Sequence, residues 1–233
     1  MNLTYCVTRY NEDCKDLFTT FSKSDTKLNI LVSDNGNINE PLYLEDEIKQ
    51  KHNYKRIPCN SIILSASRLN AANNCETEYL QFVDADDNLI LKDIDLSENL
   101  DVYFFIKKCI KTQGEGYQVL GICQIWNMIW KTSFIKDLLV VTDNCNEEEL
   151  PTLIKLADID FTWKLLDDIV YIYNKTPSGM SSKEWYKSVI KPEEVDLYKE
   201  KILKLRNKIH SYFCRFNTGY DIFEKLNFIK KRK

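Results

Sequence analysis

Three carboxylates follow directly on a short apolar stretch in the first half of the chain. Tyr79–Val83 has the aromatic and β-branched content of a buried strand, and Asp84, Asp86 and Asp87 come next. Carboxylates this close together repel one another unless a cation lies between them, and hard oxygen ligands suit Mg²⁺ or Mn²⁺. The segment predicts a site for a divalent cation carrying a phosphate group. The alternative is an acidic turn on a solvated loop.

Strand and helix patterns alternate around this segment. Alternation of this kind predicts βαβ units and a mainly parallel sheet, hence an α/β fold whose ligands bind beyond the carboxyl ends of the strands. Asp34 and Asp84 both follow predicted strands, so we expect them to line one crevice. The predicted strands of this half are Leu3–Val7, Leu28–Val32, Asn53–Pro58 and Tyr79–Val83, and the predicted helices are Glu12–Ser22, Pro41–Lys51 and Ser65–Cys75.

The second half is less regular. Its patterns predict strands over Val102–Ile106, Tyr117–Ile122 and Ile169–Tyr173, and helices over Glu147–Leu156, Ile159–Leu166 and Pro192–His210. Trp126 and Trp130, four residues apart, are predicted to share one face of a helix. We expect a core over residues 1–182, with a nucleotide-binding half (1–100) and an acceptor half (101–182), followed by a basic helical extension (183–233).

Charge is distributed unevenly along the 233 residues. Residues 183–233 hold 14 Lys/Arg against 7 Asp/Glu, although the whole chain has a net charge of −3. The asymmetry predicts a polyanionic partner for the basic tail, either DNA or an anionic membrane surface; the alternative is a solvated helix with extra lysines.

No run approaches the roughly 18 apolar residues of a membrane span. The eight cysteines form no Cys-x-x-Cys pair, which argues against a zinc site and suits a reducing compartment. We therefore expect a cytoplasmic protein or one peripheral to the inner membrane face.

Several short segments, in their order along the chain, resemble the family 2 glycosyltransferases of the GT-A fold. In the first half of that family, Pro-Thr-Tyr-Asn follows the first strand, Val-Asp-Asp-Gly-Ser follows the second, and Ala-Arg-Asn precedes Phe-Leu-Asp-x-Asp-Asp. Its second half contains Trp-Asn-Lys-Leu-Tyr-Lys, then Glu-Asp-x-x-Phe, and last a Tyr followed by a Ser-containing loop. The matching segments are Val7–Asn11, Val32–Gly36, Ala66–Asn70, Thr77–Asp87, Trp126–Lys131, Ala157–Phe161 and Tyr173 with Ser178–Ser182. The resemblance covers roughly residues 3–182 and implies a Rossmann-like GT-A fold with a mixed, mainly parallel sheet flanked by helices.

The resemblance also implies roles for individual residues. Asp84 and Asp86 would hold Mn²⁺ or Mg²⁺, with Asp84 also near the ribose of a nucleotide-sugar donor. Asp34 resembles the aspartate that accepts the N3–H of a pyrimidine, which favours uracil or thymine over cytosine. Arg68 would contact donor phosphates or ribose, or pair with a carboxylate at the sheet edge. Further donor contacts would come from Thr8, Tyr10 and Asn11, and acceptor contacts from Trp126, Asn127 and Trp130; the alternative place for the tryptophans is the core.

Inverting transfer needs a general base for the acceptor hydroxyl. Asp158 matches the family's catalytic aspartate, and Asp160 is its rival. The sequence departs from the family at Ala157, where Glu is usual, and at Asn35, where a second Asp is usual.

The sequence thus predicts a metal-dependent inverting glycosyltransferase, a hexosyl- or pentosyltransferase that uses a UDP- or TDP-type donor. A cell-surface or lipid-linked glycan is the expected acceptor. One alternative is a phage-type DNA glycosyltransferase that acts on hydroxymethylated bases, and another is an inactive GT-A-like binding module. A nucleotidyltransferase is disfavoured because Thr8–Glu12 contains no glycine for a phosphate loop.

Overall fold

The computed structural model describes residues 2–111, 114–118, 125, 128–142, 149–175 and 195–208. Its nine described strands form one sheet in the order β3-β2-β1-β4-β8-β6-β9-β5, with β7 paired to β6. The strands are β1 (Leu3–Arg9), β2 (Asn29–Asp34), β3 (Asn53–Pro58), β4 (Tyr79–Asp84), β5 (Asn88–Leu89), β6 (Val102–Lys111), β7 (Gly114–Gln118), β8 (Met128–Lys131) and β9 (Trp163–Lys175). The helices are α1 (Lys15–Ser22), α2 (Glu45–Lys51), α3 (Leu64–Asn74), α4 (Thr132–Leu138), α5 (Leu150–Asp158) and α6 (Val195–Lys208).

The first four strands form the parallel half of the sheet. β1 lies between β2 and β4 and runs parallel to both, and β3 extends the half on the other side of β2. Nearly every residue of β1 and β4 is buried, as expected for central parallel strands covered on both faces. Exposed and partly buried residues alternate along most of β3, which forms the edge of the sheet. The three carboxyl ends of β1, β2 and β4 therefore lie side by side.

Helices cover this half and add to one apolar core. α1 buries Leu17, Phe18 and Phe21 against it, and α3 packs on β1 and β2. Phe21 contacts Tyr5 of β1 with ring centroids 5.7 Å apart. The predicted βαβ organisation is confirmed here, and the helix boundaries differ from the predicted ones by a few residues.

The other half makes the sheet mixed. β8 runs antiparallel to both β4 and β6, and β9 runs parallel to β6 with a register shift near Ile106. Trp130 lies in the strand β8, so the helix predicted to carry Trp126 and Trp130 is wrong at that residue. Its side chain is fully buried, and its indole N–H donates to the carbonyl of Ile125 at 2.7 Å.

The helix predicted over Ile159–Leu166 is wrong. The backbone leaves α5 after Asp158 and enters the strand β9 at Trp163. Exposed and partly buried residues alternate from Ile159 to Leu165, which is the two-residue period of a strand. Ala157 and Asp158 end α5 and do not separate two helices.

The tail contributes one described helix, α6, which packs against α5. Its Leu205 is fully buried, whereas Leu197 and Leu203 are exposed. None of the helices in the described ranges has the length and apolar composition that crossing a bilayer requires.

Candidate functional site

Polar side chains collect at the edge where β1, β2 and β4 end. The register pairs Thr8 of β1 with Ser33 of β2 on one side and with Asp84 of β4 on the other. Asp34 is the last residue of β2, and Arg9 is the last residue of β1. The structure thus brings together two of the predicted carboxylates, Asp34 and Asp84, at neighbouring points of one edge, separated by the end of β1.

The three aspartates after β4 have different surroundings. Asp84 accepts at Oδ1 from the Thr8 hydroxyl and from the Arg68 guanidinium, both at 3.1 Å. Asp86 is exposed at the turn. Asp87 points inwards, is 1% exposed, and accepts at Oδ2 from the Tyr171 hydroxyl at 2.7 Å. Asp84 and Asp86 are therefore the two aspartates of the turn with surface outside the sheet, and Asp87 is internal.

The electrostatics of this pair favour a cation. Although Asp86 has exposed surface, the protein around the turn reduces the solvation of its carboxylate, and this effect, followed by the negative charge of Asp84, raises the pKa of Asp86 to about 6. Burial also raises the pKa of Glu12; hydrogen bonds to backbone amides oppose the rise, and the charges of Asp86 and Asp84 add to it. Glu12 is therefore a third acidic group near the pair, contributed by the loop after β1. A positive charge placed among these groups would relieve their mutual repulsion.

Asp34 is held by basic side chains beneath the edge. Its Oδ1 accepts from Arg9 and from the backbone N–H of Gly36, each at 2.7 Å, and its Oδ2 accepts from Arg56 Nε at 2.7 Å. Burial opposes ionisation, but these donors hold the pKa of Asp34 below its usual value. The carboxylate is 1% exposed, so the structure places it under the edge, with both of its oxygens engaged.

A cavity of about 450 Å³ opens beside Asp34. Asn35 contributes to its wall: its amide nitrogen donates to the Ser61 carbonyl, and its Oδ1 is a buried acceptor without a hydrogen-bond partner in the described part of the chain. Buried acceptors of this kind are uncommon and point to a missing donor. The lining also includes two apolar residues with exposed surface, Ile38 and Ile62. The rest of the lining is largely polar and includes Asn37, Asn60 and Ser61.

Arg68 connects the acidic pair to α5. It projects from α3, is 1% exposed, and binds Asp84 through one nitrogen and Glu149 Oε1 through another at 2.6 Å. Glu149 stands immediately before α5 and is itself 8% exposed. Sequence reasoning missed Glu149. The sequence feature that could have indicated a role for Glu149 is the run of glutamates 147–149 just before Leu150-Pro151, since acidic residues and proline favour the start of a helix.

Asp158 and Asp160 lie at the opposite end of α5. At 1.5 Å per residue, the helix separates Glu149 from Asp158 by about 13 Å. Asp158 accepts from Lys201 at 2.6 Å and from Lys204 at 3.1 Å, and these hydrogen bonds hold its pKa below the usual value. Asp160 faces Lys208 at 3.5 Å. The structure uses both aspartates to hold α6 and does not bring them to the acidic turn.

Position 157 explains why the Ala157–Phe161 segment departs from its family pattern. The Ala157 side chain is fully buried in the apolar core, where a glutamate would be desolvated without a partner of opposite charge. A glutamate at position 157 would therefore destabilise this fold.

Solved structures share this architecture. S. aureus TarS 1-349 in complex with UDP-GlcNAc matches it with a TM-score of 0.66 at 17% identity, over 100% of this chain and 71% of that one. The UDP complex of the same protein gives 0.63 at 17% identity, over 100% and 70%. A longer TarS structure gives 0.60 at 17% identity over 98% of this chain, which spans 42% of that protein. No family model and no curated protein matches the sequence.

The likeness to TarS shows the fold. The chain has a Rossmann-like GT-A fold, with a mixed, mostly parallel sheet flanked by helices. The acidic turn and the cavity beside Asn35 both lie at the carboxyl edge of its parallel half, where ligands of open α/β sheets bind.

The remaining predicted contacts lie in three different settings. Tyr10 is 51% exposed after β1, and Asn11 has a φ of 58°, a left-handed conformation that asparagine tolerates. Trp130 belongs to the core and is not available for an acceptor. Trp126 and Asn127 lie outside the described residues.

The donor set at the turn fits a hard divalent cation. No group of three or more metal-binding side chains occurs within the described ranges, so Asp84 and Asp86 would provide two carboxylates. Mg²⁺ is commonly held in this way, by one or two carboxylates together with substrate phosphates and water.

Proposed function

We propose that the chain is a metal-dependent inverting glycosyltransferase that moves a sugar from a UDP- or TDP-type donor to an acceptor hydroxyl. The observation that carries the proposal is the pair Asp84 and Asp86, with Asp84 bound to the buried Arg68, at the carboxyl edge of a GT-A sheet. The likeness to the UDP-GlcNAc complex of S. aureus TarS over the whole chain supports a nucleotide-sugar donor.

Asp84 and Asp86 would hold Mn²⁺ or Mg²⁺. When bound, the cation supplies positive charge to the diphosphate that leaves with its bonding electrons. Arg68 is buried beside Asp84 and keeps that carboxylate oriented, while the charges of Asp84, Asp86 and Glu12 create the negative potential that attracts the cation.

The transfer forms a bond between the acceptor oxygen and the anomeric carbon and breaks the bond from that carbon to the diphosphate. The acceptor proton must pass to a base on the opposite face of the sugar. We place Glu149 in this role in preference to Asp158, because Glu149 shares Arg68 with Asp84, whereas Asp158 lies about 13 Å further along α5.

The base of the donor fits the cavity beside Asp34. Both oxygens of Asp34 are engaged by Arg9, Arg56 and Gly36, so we assign recognition of the base to Asn35. Its Oδ1 is an acceptor without a hydrogen-bond partner in the described part of the chain; it is buried, so the side chain would turn towards the cavity when a base binds. An acceptor at this point favours the N3–H of uracil or thymine over the N3 lone pair of cytosine.

We propose a cell-surface or lipid-linked glycan as the acceptor. The support is the excess of Lys/Arg over Asp/Glu in residues 183–233, which suits attachment to an anionic membrane surface where such acceptors reside.

The deciding experiment is a thermal-shift titration with UDP, with and without Mn²⁺. We expect UDP to raise the melting temperature only when Mn²⁺ is present, and Asp86→Asn to abolish the increase, because the variant has lost one of the two charged ligands. Asp93→Asn, another carboxylate of the segment after the turn, is the matched control and should behave as wild type. Equal stabilisation of Asp86→Asn would remove Asp86 from the cation site.

A binding module without catalysis is the second candidate. The engagement of Asp158 with Lys201 and Lys204 favours it, since the residue predicted as the base is tied to another element. Hydrolysis of UDP-sugars with Mn²⁺ separates the two: UDP binding without turnover of any UDP-sugar would identify the module.

A further inference from the structure

One buried tyrosine holds the acidic turn from the opposite half of the sheet. Tyr171 lies in β9, and its side chain is fully buried. Its hydroxyl donates to Asp87 Oδ2 at 2.7 Å and accepts from the backbone N–H of Asp84 at 3.1 Å. A single oxygen atom thus joins the first and the last aspartate of the turn, although Tyr171 lies more than 80 residues further along the chain.

The position of this oxygen is itself well determined. The Tyr171 ring stacks on Phe105 of β6 with centroids 6.3 Å apart. Its backbone pairs with Leu89 of β5, the short strand that follows the turn. Neither the ring nor the main chain can shift without disturbing the buried sheet, so the hydroxyl is a rigid point of attachment.

The rest of the turn has attachments that Tyr171 complements. The backbone N–H of Ala85 donates to the Thr8 carbonyl at 3.1 Å, and that of Asp87 donates to the Asp84 carbonyl at 3.0 Å. These bonds hold the main chain of the turn against β1 and involve no atom of the Asp87 carboxylate. The Tyr171 hydroxyl directs it inwards and away from Asp84 and Asp86.

We propose that Tyr171 is the positioning residue of the cation site: it fixes the Asp84 backbone and keeps Asp87 out of the cleft, so that two carboxylates and not three face the ligand. The inference rests on the proposed function, because the ligand in question is the divalent cation of the donor complex. Tyr171 does not touch the cation or the donor and acts through Asp84 and Asp87.

The expected size of the effect follows from other metal sites. Residues that orient ligands by hydrogen bonds change metal affinity by about 10- to 100-fold when they are replaced. Tyr171→Phe removes one oxygen and keeps the ring, so it tests the two hydrogen bonds and not the packing on Phe105.

The experiment measures Mn²⁺ binding to the full chain by isothermal titration calorimetry, with Mn²⁺ alone and with saturating UDP. We expect Tyr171→Phe to raise the dissociation constant for Mn²⁺ at least tenfold. The matched control is Tyr79→Phe, which removes another buried hydroxyl, bound to Asn99 Oδ1 at 3.3 Å near the other end of β4; we expect it to stay within about twofold of wild type.

Hydrogen exchange of the Asp84 amide, measured by NMR without ligands, distinguishes a local effect at the turn from a general loss of stability. We expect its protection to fall in Tyr171→Phe, while amides in the middle of β1 keep theirs and Tyr79→Phe leaves the Asp84 amide unchanged. Unchanged Mn²⁺ affinity in Tyr171→Phe, with wild type binding Mn²⁺ and UDP normally, would overturn the inference and leave the proposed function standing.

A second variant keeps the test decisive if Tyr171→Phe does not fold. Asp87→Asn retains an acceptor for the tyrosine hydroxyl, so we expect its Mn²⁺ affinity to stay within about threefold of wild type, unlike Asp86→Asn. A loss as large as that of Asp86→Asn would make Asp87 a cation ligand and overturn the inference. Failure of wild type to bind Mn²⁺ with or without UDP would overturn the proposed function, and this inference with it.

Discussion

At the scale of single residues, side chains of the same type have different roles because their neighbours differ. Asp34, Asp84, Asp86 and Asp87 all stand at or just beyond the ends of strands. Asp34 is engaged by two arginines, Asp87 by Tyr171, and Asp84 by Thr8 and Arg68, whereas Asp86 is exposed. Their neighbours therefore decide how far each of these carboxylates reaches the surface, and the proposed cation site uses Asp84 and Asp86, the two with surface outside the sheet.

Replacement of Asn35 tests recognition of the donor base. We expect Asn35→Leu to weaken UDP binding about tenfold, because the N3–H of uracil loses a buried acceptor worth about 1 kcal/mol or slightly more. The preference of wild type for UDP over CDP should disappear with it. Competition binding of UDP and CDP with Mn²⁺ present measures both effects.

Asn37→Leu is the control for this prediction. Asn37 lines the same cavity but is exposed, so the preference for UDP should survive its replacement. Retention of the full preference in Asn35→Leu would contradict the role assigned to Asn35.

At the scale of elements, α5 makes different contacts at its two ends. Glu149, the residue just before its first turn, binds Arg68, and its last residue, Asp158, binds Lys201 and Lys204 of α6. Lys208 of α6 adds a hydrogen bond to the Ile159 carbonyl just beyond the helix. α5 thus connects the candidate catalytic edge to the basic tail without placing the tail's partners in the cleft.

Two isosteric substitutions at the ends of α5 distinguish the roles of these contacts. We expect Glu149→Gln to lower kcat for transfer or donor hydrolysis at least 100-fold, the usual effect of removing a general base, with the KM for the donor changed much less. Asp158→Asn should leave kcat within about twofold and instead increase hydrogen exchange in α6, because it weakens the bonds to Lys201 and Lys204. Steady-state kinetics and exchange mass spectrometry measure the two outcomes.

The opposite pattern would restore the role first assigned to Asp158. A large loss of kcat in Asp158→Asn, together with normal activity of Glu149→Gln, would show that α6 moves away from α5 when the donor and acceptor bind.

At the scale of the whole molecule, the charge asymmetry separates an acidic core from a basic tail. Part of the tail's positive charge forms ion pairs within the protein, since Lys201, Lys204 and Lys208 bind Asp158 and Asp160. The lysines and arginine at 230–233 belong to the same excess of positive charge. An anionic surface attracts such clusters with about 1 kcal/mol per residue near the membrane.

Vesicle binding tests the proposed surface. We expect the protein to bind vesicles rich in phosphatidylserine and not neutral ones. Replacement of Lys230, Lys231, Arg232 and Lys233 by Gln should weaken this binding at least tenfold. Lys201→Gln is the control, because that charge is already neutralised by Asp158, and it should have little effect. Tight binding to duplex DNA that weakens steeply with salt, without vesicle binding, would favour the DNA-modifying alternative.

Sequence reasoning predicted the parallel half of the sheet well. The strands from Leu3 to Asp84 differ from prediction by no more than two residues at either end, because continuous apolar runs stopped by polar turns leave little choice of structure. It failed between Ile159 and Leu166, where alternation of polar and apolar residues continued into β9 although a helix preceded it.

The sequence by itself determined the class of fold and the edge of the sheet at which polar side chains collect, because periodicity and strand ends are local properties. Only the tertiary structure decided which acidic groups serve that edge. Tyr171 turns Asp87 inwards, Arg56 engages Asp34, and Arg68 brings Glu149 beside Asp84. Each of these contacts joins residues separated by between 16 and 84 positions, and no pattern within a single segment encodes such a contact.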